Sequence, residues 1–141
     1  MQSAEIELKF PVGDLAGLRR RLDELGFHID TPRTFEQNTL HDTPERRLKA
    51  TGELLRVREY GGRYIITHKR HPDNEDLNSP YKTRIETESE VEDGAAMAEI
   101  FTRLGFAPVF RYEKFRTEYS HVDEAAGHMV CLLYTSDAAD E

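Results

Sequence analysis

The chain has 141 residues, enough for one domain with its own core and too few for two. Lys plus Arg number 19 against 27 Asp plus Glu, a formal net charge of −8, which disfavours a nucleic-acid binder relying on overall positive charge and confines any anion site to a local basic cluster. A single cysteine, Cys131, excludes an internal disulfide and a cysteine-based zinc cluster, and fits a reducing compartment. The first ten residues carry Glu5, Glu7 and Lys9 instead of an apolar stretch, and no run approaches membrane-spanning length, so a cytoplasmic protein without a membrane partner is expected.

From Ala4 to Phe10 the residues alternate, with Glu5, Glu7 and Lys9 on one side and Ile6, Leu8 and Phe10 on the other, the period of a strand. After Pro11 and Gly13, Asp14 can cap a helix whose Leu15, Leu18, Leu22 and Leu25 form one stripe, with Gly26 suited to its end. A strand is predicted near 34–40, a turn at Asp42-Thr43-Pro44, and a hairpin with arms 53–59 and 63–69 joined through Gly61-Gly62. Residues 70–80 (RHPDNEDLNSP) have loop composition and no period, and read as a mobile loop. The opening unit then returns 79 residues later. Arg84, Glu86 and Glu88 alternate as Glu5, Glu7 and Lys9 do, Asp93 matches Asp14, and Gly105-Phe106 repeats Gly26-Phe27. A further strand is predicted over 110–119 and an irregular piece over 128–133. Read one by one, the charged strand faces are those of a sheet with its polar side in water. Taken together they fit a curved antiparallel sheet with helices outside and charges inside, where charges persist only if paired or liganded.

This series resembles the CYTH superfamily, the class IV adenylyl cyclases and thiamine triphosphatases also called triphosphate tunnel metalloenzymes. Glu5-Ile6-Glu7-Leu8-Lys9 matches the ExExK opening, 37–44 (QNTLHDTP) the segment ending in Asp-Thr-Pro, and Leu55-Arg56-Val57-Arg58 the LRxR strand. Thr67-His68-Lys69 resembles the strand bearing a phosphate-facing lysine, Arg84-Ile85-Glu86-Thr87-Glu88 the RxExE strand, and Lys114-Phe115-Arg116 the KxR strand. The resemblance implies an α+β fold: an antiparallel β-barrel or tunnel of about eight strands with amphipathic helices packed outside, binding a triphosphate with Mg²⁺ or Mn²⁺.

It further implies Glu5, Glu7, Glu86 and Glu88 as metal ligands, and Lys9, Arg56, Arg58, Lys69, Arg84, Lys114 and Arg116 as triphosphate ligands, with Lys9 and Lys69 placed to act in catalysis. Seven cations exceed the roughly four charges of a free triphosphate, so the surplus must neutralise carboxylates. The implied substrate is a small triphosphate: ATP, inorganic triphosphate or thiamine triphosphate. The implied activity is cyclisation of ATP to cyclic AMP and pyrophosphate, with triphosphate hydrolysis as one alternative and a non-catalytic binding module as another. A homodimer is left open.

Two departures from the family pattern stand out. Past Val130 the family continues into an Asp and a Glu-x-Glu strand, whereas 131–141 reads CLLYTSDAADE, so a domain over 1–131 and a non-native or disordered tail over 132–141 are expected, leaving the barrel incomplete. Leu40 stands where animal-type thiamine triphosphatases carry a tyrosine, and a leucine has no proton to give. The six histidines show no metal-ligand spacing, and none is assigned a catalytic role.

Overall fold

The computed structural model describes residues 1–73, 78–79, 81–123 and 128–137. Part of the expected mobile loop, 74–77 and 80, therefore lies outside the described residues, as does the end of the expected tail, 138–141. Elements run β1 (Gln2–Glu7), α1 (Leu15–Glu24), β2 (His28–Asp42), α2 (Arg47–Ala50), β3 (Leu54–Tyr60), β4 (Arg63–Arg70), β5 (Lys82–Val91), α3 (Gly94–Arg103), β6 (Ala107–Asp123) and β7 (His128–Asp137). The strand pairs described are antiparallel and the helices few, the α+β arrangement expected.

Contacts divide the chain into two compact units. The first holds residues 1–8 and 36–112, with hydrogen-bonded strand order β1-β5-β4-β3-β2-β6. Its β3–β4 hairpin turns on Gly61 and Gly62, with φ of 57° and 78°, two consecutive left-handed residues as a tight hairpin with the right twist requires. Opposite residues in an antiparallel pair share a face, so the register places side chains directly. Glu5 faces Arg84, Lys69 faces Glu86, Thr67 faces both Glu88 and Arg56, and Arg58 faces Asn38. One face of five strands is thus charged, and it is the buried face: Glu36, Asn38 and Thr67 have no exposure, and Arg56 and Arg58 almost none. The apolar side of β1 is the open one, with Ile6 68% exposed. Helix α3 covers the other face over β3 and β4, where His41 meets Phe101 edge-on at 5.7 Å. A Cβ on Gly94 would come within 2.3 Å of the Tyr64 ring, so only glycine lets the helix start this close.

The second unit holds 9–35 and 113–141, with strand order β2-β6-β7. Phe115 packs on Phe35, centroids 5.4 Å apart, and carries the Arg33 guanidinium 3.6 Å above its ring. The internal repeat survives folding at the level of caps. Asp14 accepts from Gly17 N at the head of α1, and Asp93 from Ala96 N at the head of α3, both at 2.9 Å.

Three expectations change. Strand β1 stops at Glu7 instead of Phe10, because 8–10 have no strand partner in the register, which ends at Glu7 against Lys82. Strands β2 and β6 run well beyond 34–40 and 110–119. Residues 132–137, expected to be tail, are strand, pairing with β6 as far as Lys114 opposite Asp137. A strand edge offers N–H and C=O groups to any segment that can extend along it, whatever its side-chain pattern.

Candidate functional site

A cavity of about 640 Å³ opens on the charged face of the first unit, within the range of small-molecule sites. Glu5, Glu7, Lys69, Lys82 and Arg84 line it from β1, β4 and β5, while Leu40, Leu48, Leu54, Leu55, Val109 and Phe110 line it from β2, α2, β3 and β6, beside His41, Asp42, Arg46, Lys49 and Glu53. Strand alternation explains the first group: Glu5 and Glu7 are two residues apart on β1, as are Lys82 and Arg84 on β5, so each pair points the same way. The second group depends on α2, which the sequence did not predict. Asp42, buried at the end of β2, accepts from Thr43, Leu48 and Lys49 N–H at 2.7, 2.9 and 3.1 Å, and so fastens α2 with Leu48 turned inward. Burial alone would raise the Asp42 pKa, but these three N–H groups prevail and hold the carboxyl below its ordinary value.

Charge pairing runs across the strands. Lys69 Nζ donates to Glu5 Oε2 at 2.6 Å and lies 3.8 Å from Glu86 Oε2. Thr67 donates to Glu88 at 2.9 Å and accepts from Arg56 Nη2 at 3.4 Å. Arg58 Nε donates to Asn38 Oδ1 at 2.8 Å and lies 3.4 Å from Glu36 Oε2, while Asn38 Nδ2 donates to Glu36 Oε1 at 3.1 Å. Arg84 Nη1 donates to the Gly52 carbonyl at 2.8 Å. Burial, then a hydrogen bond to Glu88 and the charge of Glu5, push the Glu86 carboxyl up to about 7 despite Lys69. Burial also disfavours the Glu88 carboxylate, yet the bonds from Glu86 and Thr67 and the charges of Arg56 and Arg58 hold its pKa below the ordinary value. The two carboxyls, on one face of β5, are thus driven in opposite directions, Glu86 up and Glu88 down.

A carboxyl whose folded pKa is raised binds its proton more tightly folded than unfolded. Its contribution is complete below 4.5 and is lost as pH rises through about 7. In chelator, the stability of the protein relative to Glu86→Gln is expected to fall across that window. Parallel pH profiles in denaturant melts would contradict the raised Glu86 pKa.

The structure thus brings Glu5, Glu7, Lys69 and Arg84 into the lining of one cavity, with Arg56, Arg58, Glu86 and Glu88 further along the same face. Lys9, Lys114 and Arg116 belong to the second unit, where Arg116 lies 3.6 Å from Glu118. Lys82 and the buried Glu36, Asn38 and Thr67 are additions to the face. The signal for Glu36 and Asn38 was present in the alternation of Glu36, Asn38, Leu40 and Asp42, which mixes residue types, while Lys82 continues the alternation of Arg84, Glu86 and Glu88.

Among the described residues no three His, Cys, Asp or Glu side chains converge closely enough to hold a metal ion by themselves. Mg²⁺ commonly takes one or two carboxylates and completes its shell with water and phosphate oxygens, an arrangement that Glu5 and Glu7 suit. Burial and the neighbouring Glu88 and Glu5 carboxyls raise the Glu86 pKa, a direction that a nearby divalent cation would oppose.

A family model described as CYTH domain matches residues 3–137. A Methanocaldococcus jannaschii protein provisionally named an adenylate cyclase is 30% identical over 119 residues, which span 84% of this chain and 65% of that protein, just under two thirds of its length. Among solved structures, a Vibrio parahaemolyticus protein also provisionally named an adenylate cyclase superposes with a TM-score of 0.65 at 13% identity, covering 98% of this chain and 78% of its own. A Hippeastrum protein, provisionally named an adenylyl cyclase and described as having a dominant triphosphatase activity, superposes with a TM-score of 0.59 at 18% identity, covering 96% and 72%. No helix among the described residues is long and apolar enough to cross a membrane.

Proposed function

Because the chain belongs to the CYTH domain family, we propose that it is a divalent-metal-dependent enzyme acting on a triphosphate, and that its reaction is the class IV-type adenylyl cyclase one, ATP to cyclic AMP and pyrophosphate. The observation that carries this reading is the mixed lining of the cavity, in which the carboxylates and cations of β1, β4 and β5 share one space with Leu40, Leu48, Leu54, Leu55 and Phe110. A nucleoside triphosphate combines the same two kinds of surface, whereas inorganic triphosphate would leave the apolar residues unused.

Glu5 and Glu7 would hold Mg²⁺ or Mn²⁺, which when bound lowers the pKa of a coordinated hydroxyl and shields phosphate charge. Arg84 and Lys82 would take phosphate oxygens, the guanidinium in bidentate fashion and the ammonium as a point charge. Lys69 serves both sides: it neutralises Glu5 in the resting protein and sits where a phosphate could share it. The apolar residues would fix the nucleoside and exclude water, so that the ribose 3′-hydroxyl rather than solvent attacks the α-phosphorus and pyrophosphate leaves. No side chain need become a nucleophile; the chain positions and neutralises.

A second reading is hydrolysis of a triphosphate with water as nucleophile, supported by the triphosphatase activity of the Hippeastrum protein. For the thiamine compound, Leu40 on the cavity wall supplies no proton. Incubation with ATP and Mg²⁺ or Mn²⁺, with cyclic AMP, pyrophosphate and orthophosphate measured together, separates the readings. Equal amounts of the first two products are expected. Orthophosphate alone would move the function to triphosphatase, and no product would leave a binding module.

A further inference from the structure

The cations of the cavity are held in two different ways. The Lys69 ammonium spends its charge on carboxylates, with Glu5 at 2.6 Å and Glu86 at 3.8 Å. The Arg84 guanidinium is held by neutral groups: its Nη1 lies 2.8 Å from the Gly52 carbonyl oxygen and 2.8 Å from His71 Nε2. Among the described residues no carboxylate is paired with Arg84, although Glu5 stands directly opposite it in the strand register, because the Glu5 carboxylate turns to Lys69. A guanidinium has donors only and keeps its proton in proteins, so in this contact His71 Nε2 is the acceptor.

We infer that His71 is a positioning residue: with the Gly52 carbonyl it aims the Arg84 guanidinium at the anionic part of the substrate. Neutral acceptors fix the direction of the fork without cancelling the charge that a phosphate will meet, which a carboxylate in the same place would do. The site is built around this contact. Gly52 has φ +70°, and a Cβ there would lie 2.4 Å from His71 Cδ2 and Nε2, so a larger residue would push the ring off Arg84. The identity of the anion rests on the triphosphate reading above; the positioning of Arg84 does not.

The test uses His71→Ala, His71→Gln and Arg84→Ala in the full chain, with inorganic triphosphate binding measured by calorimetry and the Arg84 guanidinium followed by ¹⁵N NMR. Gln can place an acceptor oxygen close to where Nε2 stands, so it is the rescuing variant and the guard against simple misfolding. His71→Ala is expected to weaken triphosphate binding about tenfold and to release the restricted guanidinium rotation. His71→Gln should restore both, and His71→Ala should add nothing in the Arg84→Ala background. An Arg84 signal unchanged in His71→Ala, or additive losses in the double variant, would overturn the inference. If the parent protein binds no triphosphate while the Arg84 signal still collapses and is rescued by Gln, the positioning stands and the triphosphate reading falls.

Discussion

Arg58→Leu is expected to cost the folded state about 3–5 kcal/mol, a large share of the roughly 5–15 kcal/mol that holds a domain together. Arg58 is 7% exposed, and its Nε lies against Asn38 Oδ1 and Glu36 Oε2, on two residues with no exposure at all. Removing the guanidinium takes a cation from the fully buried Glu36 carboxylate and a donor from Asn38, so the cost is that of weakening a buried charge cluster, not of one lost hydrogen bond. Replacing Glu36, Asn38 and Arg58 together by apolar residues of similar size should recover most of the loss, since no charge is then stranded. Denaturant melts of the single and triple variants check both halves. A single variant within about 0.5 kcal/mol of the parent would mean that the cluster is hydrated in solution.

Glu5→Gln and Glu7→Gln are each expected to lower metal-dependent turnover of ATP by about a hundredfold or more while leaving the fold intact, because an amide keeps the shape but loses the charge that a hard cation needs. The two should differ without metal. Glu5 is bonded to Lys69 at 2.6 Å, so Glu5→Gln frees an ammonium that the resting protein keeps neutralised, and metal-free triphosphate binding should tighten as turnover collapses. Glu7 faces Lys82, which is exposed and already screened by water, so Glu7→Gln should change metal-free binding little. Full turnover in both variants at unchanged metal concentration would remove the carboxylates from the mechanism. Weaker metal-free binding in Glu5→Gln would show that Lys69 does not reach the substrate.

Much of the local architecture was legible in the residues. Asp14 and Asp93 cap their helices as their spacing announced, and Gly61-Gly62 turns the hairpin, because caps and tight turns depend on a few adjacent residues. Alternation also decided which residues share a face: a period of two leaves Glu5 and Glu7, or Arg56 and Arg58, no choice but to point together. On any single strand it did not decide which face is buried; only the charged faces of several strands taken together pointed inward, as found. Ile6 and Leu8 would ordinarily be placed inside, yet they are exposed and Glu5 and Glu7, which alternate with them, turn to the cavity. That inversion is a property of several strands at once, since the Lys69–Glu5 and Arg58–Glu36 pairs join positions 64 and 22 residues apart, and charges are tolerated inside only where such partners arrive.

Helix α2 was invisible for a related reason. Its four residues carry no period, and it exists because Asp42, six and seven positions earlier, accepts the N–H groups of Leu48 and Lys49. Strand β7 through 132–137 is likewise set by its pairing with β6 and not by any pattern of its own. The helix caps, the hairpin turn, the cores of β1 to β6 and the set of charged residues could be read from the residues alone, because they rest on neighbours within a few positions. Only the tertiary structure decided which cations are neutralised by carboxylates and which, like Arg84, are held by neutral acceptors, because that choice depends on side chains that meet across strands.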